Sequence, residues 1–145
     1  PHPYLFQHDQ LGFNYRMPNI NAALGCGQLK RLEGFLENKR QLLKIYQGMF
    51  SGVDGVRIFK EPEGAKSNYW LQVLLLDKAD LAQRDDILER TNLAKIMTRP
   101  AWELLSCLPF NENCPRMDLS GAEDLAARII TLPSSSSLTE KLTRR

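Results

Sequence analysis

The sequence predicts an α+β domain in which one long helix packs on a small antiparallel or mixed sheet. Three observations carry this. Apolar residues recur at helical spacing between Phe35 and Phe50. Two strand-like runs follow, Val56–Lys60 and Asn68–Asp77. A further amphipathic stretch begins near Ser120. Helices and strands in this mixture form a layered α+β unit.

The opening residues, including "HPYLFQHDQ", have neither a helical nor a strand period, and the first residue is proline. The segment reads as a chain beginning in mid-protein, so a fragment or processed piece of something larger is expected. Pro18 and Asn19 then carry helix-start chemistry, a ring that fixes φ and an amide that can cap. Ala22, Ala23, Gly25 and Gly27 follow. Glycine costs about 1 kcal/mol in a helix interior, so the pair implies close approach of another backbone. Gly34 is expected to break the helix. After it, Phe35, Leu36, Leu42, Leu43, Tyr46, Met49 and Phe50 line one face, with Glu37, Lys39, Arg40 and Lys44 on the other. "SGVDG" (residues 51–55) ends that helix.

"VRIFK" alternates as a half-buried strand does, and "NYWLQVLLLD" has the aromatic and branched content of a central strand. "EPEGAKS" between them is a loop. "DDILERTNL" (85–93) reads as a helix with acids in its first turn. "AKIMT" (94–98) reads as a short strand stopped by Arg99-Pro100. Residues 102–117 lose all period. Ser120-Gly121-Ala122-Glu123 is a capping-box pattern, and Ala122, Leu125, Ala126, Ile129 and Ile130 extend it at helical spacing. A polar loop, residues 132–139, closes the pattern, with a further helix expected from Thr139.

Hydrophobic content of 43% and charged content of 25% are ordinary globular values. The net charge of +2 comes from 19 basic and 17 acidic residues interleaved along the chain, with no basic stripe for nucleic acid. No apolar run approaches the roughly 20 residues of a membrane helix. Cys26, Cys107 and Cys114 lack metal-ligand spacing and read as buried or free thiols of a cytoplasmic protein. His2 and His8, which with Cys107 and Cys114 would be the raw material of a metal site, read as loop residues; no metal is assigned.

P-loop, GxGxxG, HExxH and nucleophile-elbow patterns do not occur. No lysine has a context that promises a Schiff base, and each has a surface reading. Ser134–Ser137 reads as a phosphate loop or a plain linker. Arg99-Pro100-Ala101-Trp102 pairs an anion binder with an aromatic plate, for ligand contact or for packing. Asn14-Tyr15-Arg16, just before a helix, either hold a phosphate or carboxylate or only stabilise the helix start.

"HDQLGFNYRMPNINAALGCGQLKRLEGFLENKRQLLKIY" (residues 8–46) closely resembles a segment of the DegT/StrS-type pyridoxal-phosphate sugar aminotransferases. "SNYWLQVLLLD", "TRPAWELL" and "LPFNENCPRMDLSGAEDLAARIITLPSS" resemble the C-terminal part of the same family, most closely its branch in nonulosonic (legionaminic-type) acid biosynthesis. The resemblance implies the C-terminal small domain of a fold type I pyridoxal-phosphate-dependent transferase. Residues 1–34 would link from a large cofactor domain and carry an active-site and dimer motif; 35–145 would be the small α+β domain. The parent enzyme would be a homodimer that moves an amino group, from glutamate, to a keto group of a nucleotide sugar in surface polysaccharide synthesis. By position, Asn14 would reach the phosphate of the partner subunit's pyridoxal 5'-phosphate. Tyr15 and Arg16 would lie near the substrate, joining Arg99 and Trp102 as substrate-binding candidates. The small-residue helix would pack closely at or near the dimer contact. The family's Schiff-base lysine precedes this motif, so the resemblance assigns no catalytic residue here and implies that this chain alone is inactive. The alternative is a non-catalytic oligomerisation or binding module derived from the fold.

Overall fold

The computed structural model describes residues 2, 4, 5, 10 and 12–139. His8, named above, and Lys141, one of the lysines read as surface residues, lie outside them. Four helices and four strands follow in the order α1 (Asn19–Leu29), α2 (Leu32–Met49), β1 (Val56–Ile58), β2 (Gln72–Leu76), α3 (Leu81–Leu93), β3 (Arg99–Pro100), α4 (Ser120–Arg128) and β4 (Ile129–Leu132). Two short 3-10 turns, Leu105–Cys107 and Pro109–Asn111, lie between β3 and α4. The sheet order is β1-β2-β4-β3, and every pairing is antiparallel.

One cross-strand row explains the packing. Leu74 of β2 stands opposite Ile58 on one side and Ile130 on the other. All three are buried, and Leu43 of α2 and Leu88 of α3 close over this row with Leu76 and Tyr69. The long helix thus presents the leucines its period predicts, as the α+β reading requires.

Several local expectations are corrected. Pro18, not Asn19, holds the cap position of α1, with no side-chain cap bond. The break between helices comes at Lys30-Arg31, and Gly34 lies inside α2. Nothing in the described structure approaches the glycines of α1: a Cβ on Gly25 or Gly27 would meet open space. Residues 94–98 are not a strand. Lys95, at φ +63°, and Ile96 send their N–H groups back to the carbonyls of Asn92 and Thr91, a Schellman closure of α3. The strand is instead Arg99–Pro100, where an edge position tolerates proline.

The capping box at Ser120 does not form either. The Ser120 hydroxyl donates to Asp118 Oδ2 (2.7 Å) and its N–H points at Asp118 Oδ1 (3.3 Å), leaving Leu119 at the cap position. Those bonds hold the Asp118 carboxyl below its ordinary range. Ile129 and Ile130 leave the helix and begin β4, because pairing with β2 and β3 outcompetes the helical continuation. The helix expected from Thr139 falls at the edge of the described residues; Thr139 itself is buried, and its hydroxyl donates to the Asn38 carbonyl (2.9 Å).

Candidate functional site

Two places in the chain gather the side chains singled out by the sequence. The first is the loop before α1. Asn14 Oδ1 accepts the Arg16 N–H at 2.8 Å, a local turn typical of asparagine. Arg16 itself is left-handed, at φ +74°, a conformation that costs a non-glycine residue about 1 kcal/mol or more. Asn14, Tyr15 and Arg16 are all exposed, Tyr15 by 89%. With its oxygen turned onto the backbone, the amide of Asn14 keeps an N–H₂ group to offer, and the exposed Arg16 adds a guanidinium two residues on. That donor set suits a phosphate.

The second place is a pocket of about 250 Å³ where Trp70, Trp102, Arg99, Glu103 and Thr131 meet, with Tyr4 and Leu5 on its wall. β3 supplies Arg99, and Trp102 follows two residues after the strand. The Thr131 hydroxyl of β4 donates to the Arg99 carbonyl (3.0 Å), fixing the backbone at that point. Trp70, two residues before β2, lies 5.9 Å from Trp102 between ring centroids at an interplanar angle of 24°, a stacked pair. The structure therefore brings Arg99 and Trp102 together; Asn14, Tyr15 and Arg16 are not among the residues lining their pocket.

Trp70 escaped the sequence reading because its run looks like uninterrupted strand. The chain is kinked there instead. Tyr69 takes a left-handed φ of +46° and is buried, so its neighbour Trp70 is turned outward. Arg40 stabilises the kink, with its guanidinium 5.2 Å from the Tyr69 ring centre and a bond of 2.6 Å to the Ser67 carbonyl. Glu61 takes two hydrogen bonds from Arg40, at 2.9 and 3.3 Å, and another from the Ser67 N–H at 2.5 Å. Foremost through Arg40, these hold the Glu61 carboxyl below its ordinary range. A pair of adjacent aromatics after an Asn that can form an Asx turn was the available signal: the Trp70 N–H does bond Asn68 Oδ1 (2.9 Å).

Lys39 departs from the surface reading given to every lysine. It is partly buried, its Nζ donates to the carbonyls of Trp70 (2.8 Å) and Ser134, and burial lowers its pKa. The other described lysines are exposed. Ser134 is likewise structural: its hydroxyl accepts the Gln72 N–H (2.7 Å) and donates to the Leu132 carbonyl (2.6 Å). Cys26, Cys107 and Cys114 are free and exposed. Among the described residues there is no cluster of three metal-ligating side chains, and no helix is long and apolar enough to cross a membrane.

The sequence pattern of the DegT/DnrJ/EryC1/StrS aminotransferase family matches residues 3–145. The chain is 36% identical over 141 residues to EpsN of Bacillus subtilis (strain 168), covering 93% of this chain and 35% of that protein. It is 34% identical over 139 residues to the GDP-perosamine synthase of Escherichia coli O157:H7, covering 94% of this chain and 36% of the synthase. Among solved structures, the aminotransferase TlmJ from Streptoalloteichus hindustanus superposes with a TM-score of 0.73 at 26% identity, over 85% of this chain and 32% of TlmJ. DesV of S. venezuelae shares the fold, with a TM-score of 0.74 at 17% identity over 99% of this chain and 39% of DesV. The chain spans about a third of the length of the curated relatives it matches.

Proposed function

The chain belongs to the DegT/DnrJ/EryC1/StrS aminotransferase family, and from that premise we propose that it is the C-terminal part of an enzyme that transfers an amino group, from glutamate, to a keto group of a nucleotide-linked sugar. The observation that carries this is the family match, which runs through both the 14–16 loop and the tryptophan pocket. The family's cofactor, pyridoxal 5'-phosphate, supplies the electron sink for amino transfer when bound. The exposed amide and guanidinium donors of Asn14 and Arg16 fit its phosphate; Arg99 and Trp102 face the substrate. In this reading residues 1–34 connect to the cofactor-bearing part of a homodimer, residues 35–145 form the small domain, and Asn14 serves the partner subunit's cofactor.

None of the described lysines is assigned the Schiff base. Lys39, whose pKa is lowered, spends its Nζ on two backbone carbonyls, and the rest stand in solvent. The finer assignment to nonulosonic (legionaminic-type) acid synthesis rests on the motif likeness of the C-terminal residues alone. The relatives' names carry other sugars, linked to GDP in the perosamine synthases and to dTDP in an E. coli transaminase.

The test is amino transfer by the gene product that contains this chain. It is supplied with pyridoxal phosphate, glutamate and 4-keto sugars linked to GDP, dTDP or UDP. Turnover of one of these is expected, with cofactor affinity reduced about tenfold or more in Asn14→Ala, the loss of a hydrogen bond to a charged group. Tight cofactor binding with no amination of any keto sugar would refute the reading. The uncovered apolar side chains of α1, Ile20, Leu24 and Leu29, also fit the alternative of an oligomerisation module.

A further inference from the structure

We infer that the pocket of Trp70, Trp102 and Arg99 receives the base and diphosphate of the nucleotide-linked substrate, an inference that rests on the aminotransferase reading above. Both tryptophans of the chain meet here. Each keeps more than 60% of its surface in solvent, Trp70 at 63% and Trp102 at 62%. Two large aromatic rings left open side by side offer a π face to a planar ring. Their 5.9 Å separation already lies within aromatic contact range. A ligand ring therefore stacks on an outer face of the pair and is not sandwiched between them.

The volume sets the rest of the assignment. About 250 Å³ is less than the roughly 300–1,000 Å³ of pockets that enclose a whole drug-sized ligand. It admits a base with part of its pentose, leaves the diphosphate at the rim of the pocket within reach of Arg99, and keeps the sugar outside. Amination needs that outcome, because the keto carbon must project to a cofactor held elsewhere. Arg99 is the cation among the described lining residues, and the planar fork of a guanidinium matches the oxygens of a diphosphate. Glu103 supplies an acceptor for the N–H donors on a base edge.

The larger groove beside α2, about 860 Å³, is lined by Glu33, Glu37, Arg40, Lys44 and Lys66 and presents no aromatic face, so a base has nothing to stack on there. The Trp70 platform is also built in advance. Its N–H is held by Asn68, its carbonyl by Lys39, and the kink at Tyr69 that turns it outward is locked by Arg40 and Glu61.

Because Trp70 and Trp102 are the chain's two tryptophans, intrinsic emission of the full 145-residue chain reports on this pocket directly. Titration with GDP, dTDP and UDP is compared with pyrophosphate and ribose 5-phosphate. Saturable quenching by a nucleoside diphosphate is expected, with the base-free compounds at least tenfold weaker. Trp102→Ala is expected to weaken binding about five- to 150-fold, the range for losing one stacked base, while Trp102→Phe retains most of it. Arg99→Gln is expected to weaken the diphosphate and leave the free nucleoside unchanged. Unchanged emission up to millimolar nucleotide, or equal response to pyrophosphate, overturns the inference. A gene product that aminates nucleotide sugars with KM unaltered by Trp102→Ala also overturns it while the aminotransferase reading stands. Base-dependent quenching without any amination supports the pocket and refutes that reading.

Discussion

Lys39→Met tests the device that fixes the tryptophan platform. In the native chain Lys39 Nζ, reaching out from the middle of α2, bonds the Trp70 carbonyl at 2.8 Å and the Ser134 carbonyl as well. It thereby ties the long helix to the segment before β2 and to the segment after β4. Methionine keeps the length and the apolar stem but abolishes both bonds. A hydrogen bond to a charged group contributes about 1.5–3 kcal/mol. The site is only partly buried, so water recovers part of that loss at the two freed carbonyls, and the net cost is about 2–3 kcal/mol. For a domain of this size the melting temperature falls by about 6–10 °C. Thermal unfolding followed by far-UV circular dichroism reads the shift. Lys44→Met, on the exposed face of the same helix, is the control and is expected to stay within about 0.5 kcal/mol of the parent. If Lys39→Met matches that control, the staple contributes nothing and the argument for a prepositioned Trp70 fails.

Three further outcomes follow from particular contacts. The folded-state pKa of Glu61 lies below its unfolded value, so its contribution to stability is complete above the unfolded carboxylate range and is lost as pH falls through the folded value. Urea midpoints measured from about pH 5 down to about pH 3 are expected to fall less steeply in Glu61→Gln than in the parent; parallel slopes would show that the Arg40–Glu61 pair does not couple to folding. Asp80 caps α3 by accepting the Gln83 N–H at 2.9 Å, and Asp80→Ala is expected to cost about 1 kcal/mol in a urea melt. Lys95 occupies a left-handed position at φ +63°, so Lys95→Gly is expected to raise stability by about 0.5–1 kcal/mol; a loss would mean that the Lys95 side chain contributes more than its backbone costs.

Elements whose period is local were legible in the sequence. α2 declares itself through Leu42, Leu43 and Tyr46, and β2 through its run of branched residues. β4 was hidden because Ile129 and Ile130 continue the spacing of Ala122, Leu125 and Ala126, and a short apolar run has no helix or strand identity of its own. Its pairing with β2 and β3 decides the matter, and those partners are distant in sequence. β3 was displaced for a related reason: Arg99-Pro100 reads as a stop signal, yet an edge strand needs no N–H from its proline.

At the site, Arg99 and Trp102 could be named because they are three positions apart along one segment. Trp70 could not, since only the fold sets it against Trp102, and only the left-handed Tyr69 turns it out of the strand pattern. Lys39 was misjudged as a surface charge because α2 presents it from a polar stripe; its acceptors come from two other segments. The glycines of α1 suggest a close neighbour, but nothing within the described chain supplies one.

In the proposed reading this chain contributes anion-binding and substrate-facing residues to a pyridoxal-phosphate aminotransferase and not the Schiff-base lysine. Its most direct test is incubation of the 145-residue chain with pyridoxal phosphate, borohydride reduction, and intact and peptide mass measurement. No stoichiometric pyridoxyl group is expected on any single lysine. One cofactor per chain on a defined lysine, lost on changing that residue alone, would contradict it, and if that lysine were Lys39 the staple would have to be reread as a catalytic group.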